Sequence, residues 1–213
     1  MLTKDEIYNA VVDYFQRTMP LAETELKYNN DFELLVAVML SAQCTDKRVN
    51  LTTPMLFSKY PTPKAMLTAG EDGILECIKS ISYPNSKAKH IFQTSEILVK
   101  QYNSQLPHSI DQLVKLPGVG IKTANVVASV LWGELVMPVD THVFRVSARL
   151  GLTSNAKTPL QAEKQLENGF PKHLLPRAHH WLILHGRNVC KALKPKCSIC
   201  GLTSVCKYYL SEK

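Results

Sequence analysis

The sequence predicts an all-α protein. Apolar residues recur at helical spacing along most of the chain, and no stretch shows sustained period-two alternation closed by hairpin turns. Prolines and glycines fall between the apolar stripes, where they act as punctuation. Taken in order, Asp31 is read as the cap of a helix in which Phe32, Leu35, Val36, Met39 and Leu40 share a face. Pro54, Pro61, Pro63, Pro84, Pro107 and Pro138 are read as breaks between helices. Ser109, with Gln112 three residues on, has the spacing of a capping box for a short helix through Lys115. Ala124, Val127, Ala128 and Leu131 stripe the next helix, and Gly133 is placed to end it. A further helix starts after Asp140 and stops near Gly151. With no low-complexity linker and no repeat of fixed period, any division into lobes must arise from packing.

Composition narrows the function classes. The 213 residues are 45% hydrophobic and 20% charged, enough apolar material for one domain or two modest ones. The seven-residue run Leu34–Leu40 falls far short of the roughly 20 residues that cross a bilayer. Asp5 and Glu6 stand where a signal peptide needs a basic start, so an intracellular, cytoplasmic protein is expected. The net charge is +7 and the isoelectric point about 9.1. From Phe170 onward there are eight Lys and Arg residues against a single acid, Glu212, a balance that suits a polyanionic partner such as nucleic acid.

Four motifs carry chemistry. Leu116-Pro117-Gly118-Val119-Gly120 separates two helices with a glycine-bearing turn, whose amides at the following helix start can receive a DNA phosphate. Lys122 lies two residues beyond, at a helix N-terminus where a cation is disfavoured, and a Schiff-base nucleophile is an uncharged amine. Asp140 reads first as an N-cap, and a carboxylate held by capping bonds is rigid enough to assist proton transfer or stabilise a positive sugar. Cys190, Cys197, Cys200 and Cys206 form C-x6-C-x2-C-x5-C, which in a reducing compartment reads as a metal site. The uneven spacing favours an iron–sulfur cluster and leaves zinc open. Lys191, Lys194 and Lys196 lie in the x6 loop as a compact phosphate-binding patch, while Cys44 and Cys77 read as buried small hydrophobes.

FELLVAVMLSAQCTD, LPGVGIKTANVV, VDTHVFRV, HHWLILHGR and the four cysteines stand in the order and spacing of a known family. The chain resembles the endonuclease III branch of the helix-hairpin-helix DNA glycosylases and AP lyases, essentially end to end. The resemblance implies two lobes. One is a six-helix barrel over residues 25–131 that carries the hairpin; the other, residues 1–24 and 132–213, is a four-helix lobe holding a [4Fe–4S] cluster on the four cysteines. It implies a monomer acting on double-stranded DNA with damaged pyrimidines or abasic sites, in the cytoplasm and, in a bacterium, with the nucleoid. Lys122 matches the catalytic lysine, which attacks sugar C1′, displaces the flipped base, forms a Schiff base and allows β-elimination 3′ to the lesion. Asp140 matches the catalytic aspartate. Gln43 matches a residue that fills the hole left by the flipped base, and Tyr83 stands at an apolar wedge position. The chain departs from the pattern there: Ser82-Tyr83-Pro84 replaces the usual Gly-Leu-Tyr or Gly-Phe-Tyr before Asn-x-Lys.

Two other readings make different demands. A monofunctional adenine glycosylase would carry a glutamate within Ser41–Asp46, no lysine at position 122, and a recognition domain where only seven residues follow Cys206. A non-catalytic DNA-binding module would have lost Lys122 or Asp140, and both are present.

Overall fold

The computed structural model describes residues 2–211. Glu212 and Lys213, counted in the basic C-terminal stretch, lie outside the described residues. Among the described residues there are helices and turns but no strand, as the periodicity requires. None of these helices is long and apolar enough to cross a membrane. Packing divides the chain into two compact units, Glu25–Trp132 and Met1–Thr24 with Gly133–Lys213.

The first unit holds α2 (Asp31–Ser41), α3 (Asp46–Lys59), α4 (Pro63–Ile78), α5 (Pro84–Gln101), α6 (Ile110–Leu113) and α7 (Ile121–Trp132). Its central element is α2, in which every residue from Phe32 to Leu40 is buried. A helix apolar on all sides belongs in the interior, and α3, α5 and α7 pack against it. The exception in its composition is Glu33, 2% exposed, whose carboxylate accepts from the Asn29 amide at 2.7 Å and from Asn29 Nδ2 at 2.8 Å. The cap of α2 is Asn30 rather than Asp31: Asn30 Oδ1 accepts from Glu33 N at 2.9 Å, and Asp31 is already helical. Asp31 still places negative charge in the first turn, where the helix dipole favours it.

Pro54 corrects a second expectation, because α3 runs through it. The proline has no N–H for the carbonyl of Asn50, yet Val49, Thr52, Thr53, Leu56 and Phe57 on both sides of it are buried. Their packing holds the helix together across the missing bond. α4 is bent where Gly70 takes φ 65 and ψ 174. The Ser109 box does not form. Ser109 makes no side-chain capping bond, and its carbonyl instead accepts from Gln112 at 3.1 Å and Leu113 at 2.8 Å. A helix ending at Leu113 has a single turn, too short to need a reciprocal cap.

The second unit combines α1 (Lys4–Thr18) with α8 (Thr141–Leu150), α9 (Pro159–Gly169), α10 (Leu175–Asn188) and α11 (Lys207–Ser211). α1 supplies Tyr8, Val11 and Phe15 to a core shared with Val143, Val146, Leu166, Ala178, Trp181 and Leu182. Phe15 stacks on Trp181 with ring centroids 5.7 Å apart, and Trp181 Nε1 donates to Met19 O at 2.7 Å. Gly151, at φ 86, ends α8 where the sequence placed its stop.

Candidate functional site

The hairpin is built by a sequence of tight backbone turns. Val114 N donates to Ile110 O, Lys115 N to Gln112 O and Leu116 N to Leu113 O, each near 3 Å. Val119 N then donates to Leu116 O at 3.1 Å, closing a turn with Pro117 second and Gly118 third. Gly118 has φ 77, the left-handed conformation a type II turn requires at that place. A Cβ there would also fall 2.8 Å from the Cβ of His90, so glycine is needed for space as well as for φ. Thr94 Oγ1 fastens the turn to α5 by donating to Pro117 O at 2.9 Å.

Leu116 and Val119 are 2% and 4% exposed, so their side chains anchor the turn in the core and only their backbone could meet a ligand. Gly118 and Gly120 are exposed. The first intrahelical bond of α7 runs from Ala124 N to Gly120 O at 3.0 Å, so the amides of residues 120–123 precede the helical ladder. Lys122, second residue of α7, extends from this amide-rich end and is exposed. The structure brings Lys122, Gly118, Gly120, Gln43 and Tyr83 into one unit; Gln43 and Tyr83 are both exposed, both with φ 55.

Asp140, the cysteines and the basic loop belong to the other unit. Asp140 is half-buried and caps α8, its Oδ1 accepting from Val143 N at 2.7 Å. His142, two residues on, is held below the usual histidine range chiefly by burial, with the Arg145 and Arg187 charges adding to the effect and Asp140 opposing it. α8 approaches α10 closely at Gly186, where an added Cβ would meet His142 Cβ at 3.0 Å. That approach carries Arg145 onto the end of α10: Nε donates to Cys190 O at 3.1 Å and Nη2 to Gly186 O at 3.0 Å. One turn further, Arg149 donates to Lys191 O at 2.7 Å and Ala192 O at 3.0 Å, and its Nη1 reaches Cys190 Sγ at 3.5 Å. Both arginines escaped the sequence reading. Their i, i+4 spacing on a helix with Val143 and Val146 buried was the available signal.

Two of the four cysteines, Cys190 and Cys206, lie against this arginine. Cys190 follows α10, Cys197 and Cys200 bound a short 3-10 turn, and Cys206 precedes α11. Cys206 Sγ donates to Arg149 O at 3.3 Å, and Cys200 Sγ lies 3.6 Å from His185 Nε2. Burial pushes the Cys200 and Cys206 thiols up, and the nearby Cys190 and Cys197 sulfurs push them further. Among the described residues, no three His, Cys, Asp or Glu side chains converge as ligands of a single metal ion. Cys44, read as a buried hydrophobe, is only half-buried, whereas Cys77 is buried. The x6 loop is closed by Lys196 N donating to Val189 O at 3.0 Å, and Lys191, Lys194 and Lys196 are all exposed on it. The loop thus carries three exposed lysines within six residues.

Known proteins share this architecture. Residues 36–172 match the family described as HhH-GPD superfamily base excision DNA repair protein. The endonuclease III of Rickettsia felis (strain ATCC VR-1525 / URRWXCal2) is 51% identical over 206 residues, spanning 97% of this chain and 96% of that protein. The endonuclease III of Rickettsia prowazekii (strain Madrid E) is 50% identical over 206 residues, 97% of each. A solved structure of a trapped endonuclease III–DNA covalent intermediate, an estranged-adenine complex, has a TM-score of 0.92 and 42% identity, covering 100% of this chain and 99% of that one. With the family's model matched over residues 36–172 and relatives 50–51% identical across 97% of its length, the chain belongs to the HhH-GPD superfamily of base excision DNA repair proteins.

Proposed function

We propose that the protein excises oxidised pyrimidines from duplex DNA and then cleaves the strand 3′ to the abasic site. The observation that carries this reading is Lys122, an exposed amine at the start of α7, directly beyond an exposed glycine turn suited to a phosphate. The Lys122 amine attacks C1′ of the flipped nucleotide, the bond from C1′ to the base breaks, and the resulting Schiff base permits β-elimination. Asp140, rigid through its cap, assists proton transfer and stabilises the positive charge that develops on the sugar. Gly118 and Gly120, with the backbone of Leu116 and Val119, hold the strand by its phosphates; Gln43 and Tyr83 enter the stack. The substrate is genomic duplex DNA, and the protein works in the cytoplasm. Incubation with a thymine-glycol duplex and borohydride tests the reading, because borohydride reduces a Schiff base between a protein amine and the sugar to a stable covalent complex. Base release without trapping would replace it with a monofunctional glycosylase.

Cys190, Cys197, Cys200 and Cys206 would hold a [4Fe–4S] cluster. The donor set fits by its chemistry: four thiols within seventeen residues, the ligand type and number such a cluster takes, with Cys200 and Cys206 both close enough to feel the Cys190 and Cys197 sulfurs. When bound, the cluster supplies a cross-link between segments rather than a step of the reaction. As-isolated protein should be yellow-brown and contain iron and sulfide. Cys197→Ala should lose both, together with much of the order around the loop, since the site contributes folding free energy. Stoichiometric zinc in a colourless protein would defeat the assignment.

The basic loop gives a separate expectation. Replacing Lys191, Lys194 and Lys196 by glutamine should keep the colour but weaken binding to every duplex alike. Each lost phosphate contact should flatten the plot of log K against log salt by about one unit. An unchanged slope in a salt titration would leave the loop without a DNA role.

A further inference from the structure

Gln43 and Tyr83 both hold φ 55, a conformation that side chains other than glycine resist, and Tyr83 does so while 66% exposed. Such strain persists only where the surroundings impose it. One residue fastens the backbone beside both. The N–H of Lys87 donates to Tyr83 O at 3.2 Å and closes the first turn of α5. Its ammonium turns inward, donating to Leu40 O at 2.8 Å and Ala42 O at 2.7 Å, and the residue is only 8% exposed.

Those carbonyls lie at the end of α2, immediately before Gln43. A helix end leaves carbonyls without partners and carries partial negative charge, so a buried cation there answers both needs. α2 has no basic residue in its own last turn, and α5 provides the cation instead. On the far side of Gln43, Cys44 N donates to Ser41 O at 3.0 Å and the Cys44 side chain packs on the core. The Gln43 backbone is therefore held from both directions.

We propose that Lys87 is a positioning residue that sets the spacing between Gln43 and Tyr83, so that the two enter a duplex as one unit. This rests on the repair function proposed above. Lys87 itself is buried and reaches DNA only through the two residues it places.

The test uses the full-length protein and a duplex carrying 2-aminopurine opposite a stable abasic-site analogue, whose fluorescence rises when the base is unstacked. Lys87→Met keeps the aliphatic stem and removes the donors; Lys87→Arg keeps charge and donors. Lys87→Met should lower affinity for the lesion duplex about tenfold, leave affinity for undamaged duplex in place and abolish the fluorescence rise. Lys87→Arg should restore part of both. A folded Lys87→Met protein with the wild-type rise and wild-type discrimination would overturn the proposal. Should Lys87→Met fail to fold, Lys87→Arg supplies the test in a background of Gln43→Ala and Tyr83→Ala. There it should cost no further lesion affinity, and an undiminished cost would overturn the proposal equally. If wild-type protein neither prefers the lesion duplex nor raises the signal, the repair function fails and takes this inference with it.

Discussion

Lys122→Gln should abolish borohydride trapping and strand cleavage together while leaving the melting temperature unchanged. Lys122 is exposed at the start of α7, so the fold loses nothing when the amine becomes an amide. Chemistry loses its nucleophile, and deletion of a covalent nucleophile can lower turnover by on the order of a million-fold. Binding should persist, because the glycine turn and its amides are untouched. A gel-shift assay on an abasic-analogue duplex beside the trapping assay separates the two effects. Full trapping by the variant would move the nucleophile to another amine.

Asp140 has two roles that a pair of substitutions can pull apart. Asp140→Asn keeps an oxygen for the 2.7 Å bond from Val143 N, and asparagine caps about as well as aspartate. Stability should hold while excision falls by about 10²–10⁴-fold, the usual range for a lost acid–base group. Asp140→Ala should lose the same activity and in addition about 1 kcal/mol of stability with the cap. Melting curves and single-turnover rates on both proteins decide the matter. Wild-type excision by the asparagine variant would reduce Asp140 to a cap.

Much of this was legible in the sequence because local rules and packing agree. The Leu116–Gly120 turn is one such place: Pro117 and Gly118 are the residues its backbone needs, and no long-range information is required. The α8 limits are another, with Asp140 at one end and Gly151 at the other. Where the reading failed, two local rules competed or tertiary contacts overruled one. Asn30 and Asp31 are both good caps, and pattern alone does not choose between neighbours. Pro54 breaks an isolated helix, but here buried residues on either side of it hold α3 together. Lys87, Arg145 and Arg149 were missed for a different reason. Each acts on carbonyls 40 or more residues away, and a carbonyl carries no residue letter.

The second unit is made from the two ends of the chain, and this fixes an order of events during synthesis. Tyr8 OH donates to Leu152 O across 144 residues, and Trp181 reaches back to Met19 across 162. When α1 leaves the ribosome, the residues that will cover Phe15 have not yet been translated. The 25–132 segment, whose core cluster is drawn from its own residues, completes first and does so between the two halves of its neighbour in sequence. Until Trp181 arrives, α1 is a nascent amphipathic helix with its apolar side bare, the kind of surface that chaperones recognise. A ribosome stalled before α10 would hold one finished unit and one that cannot yet form.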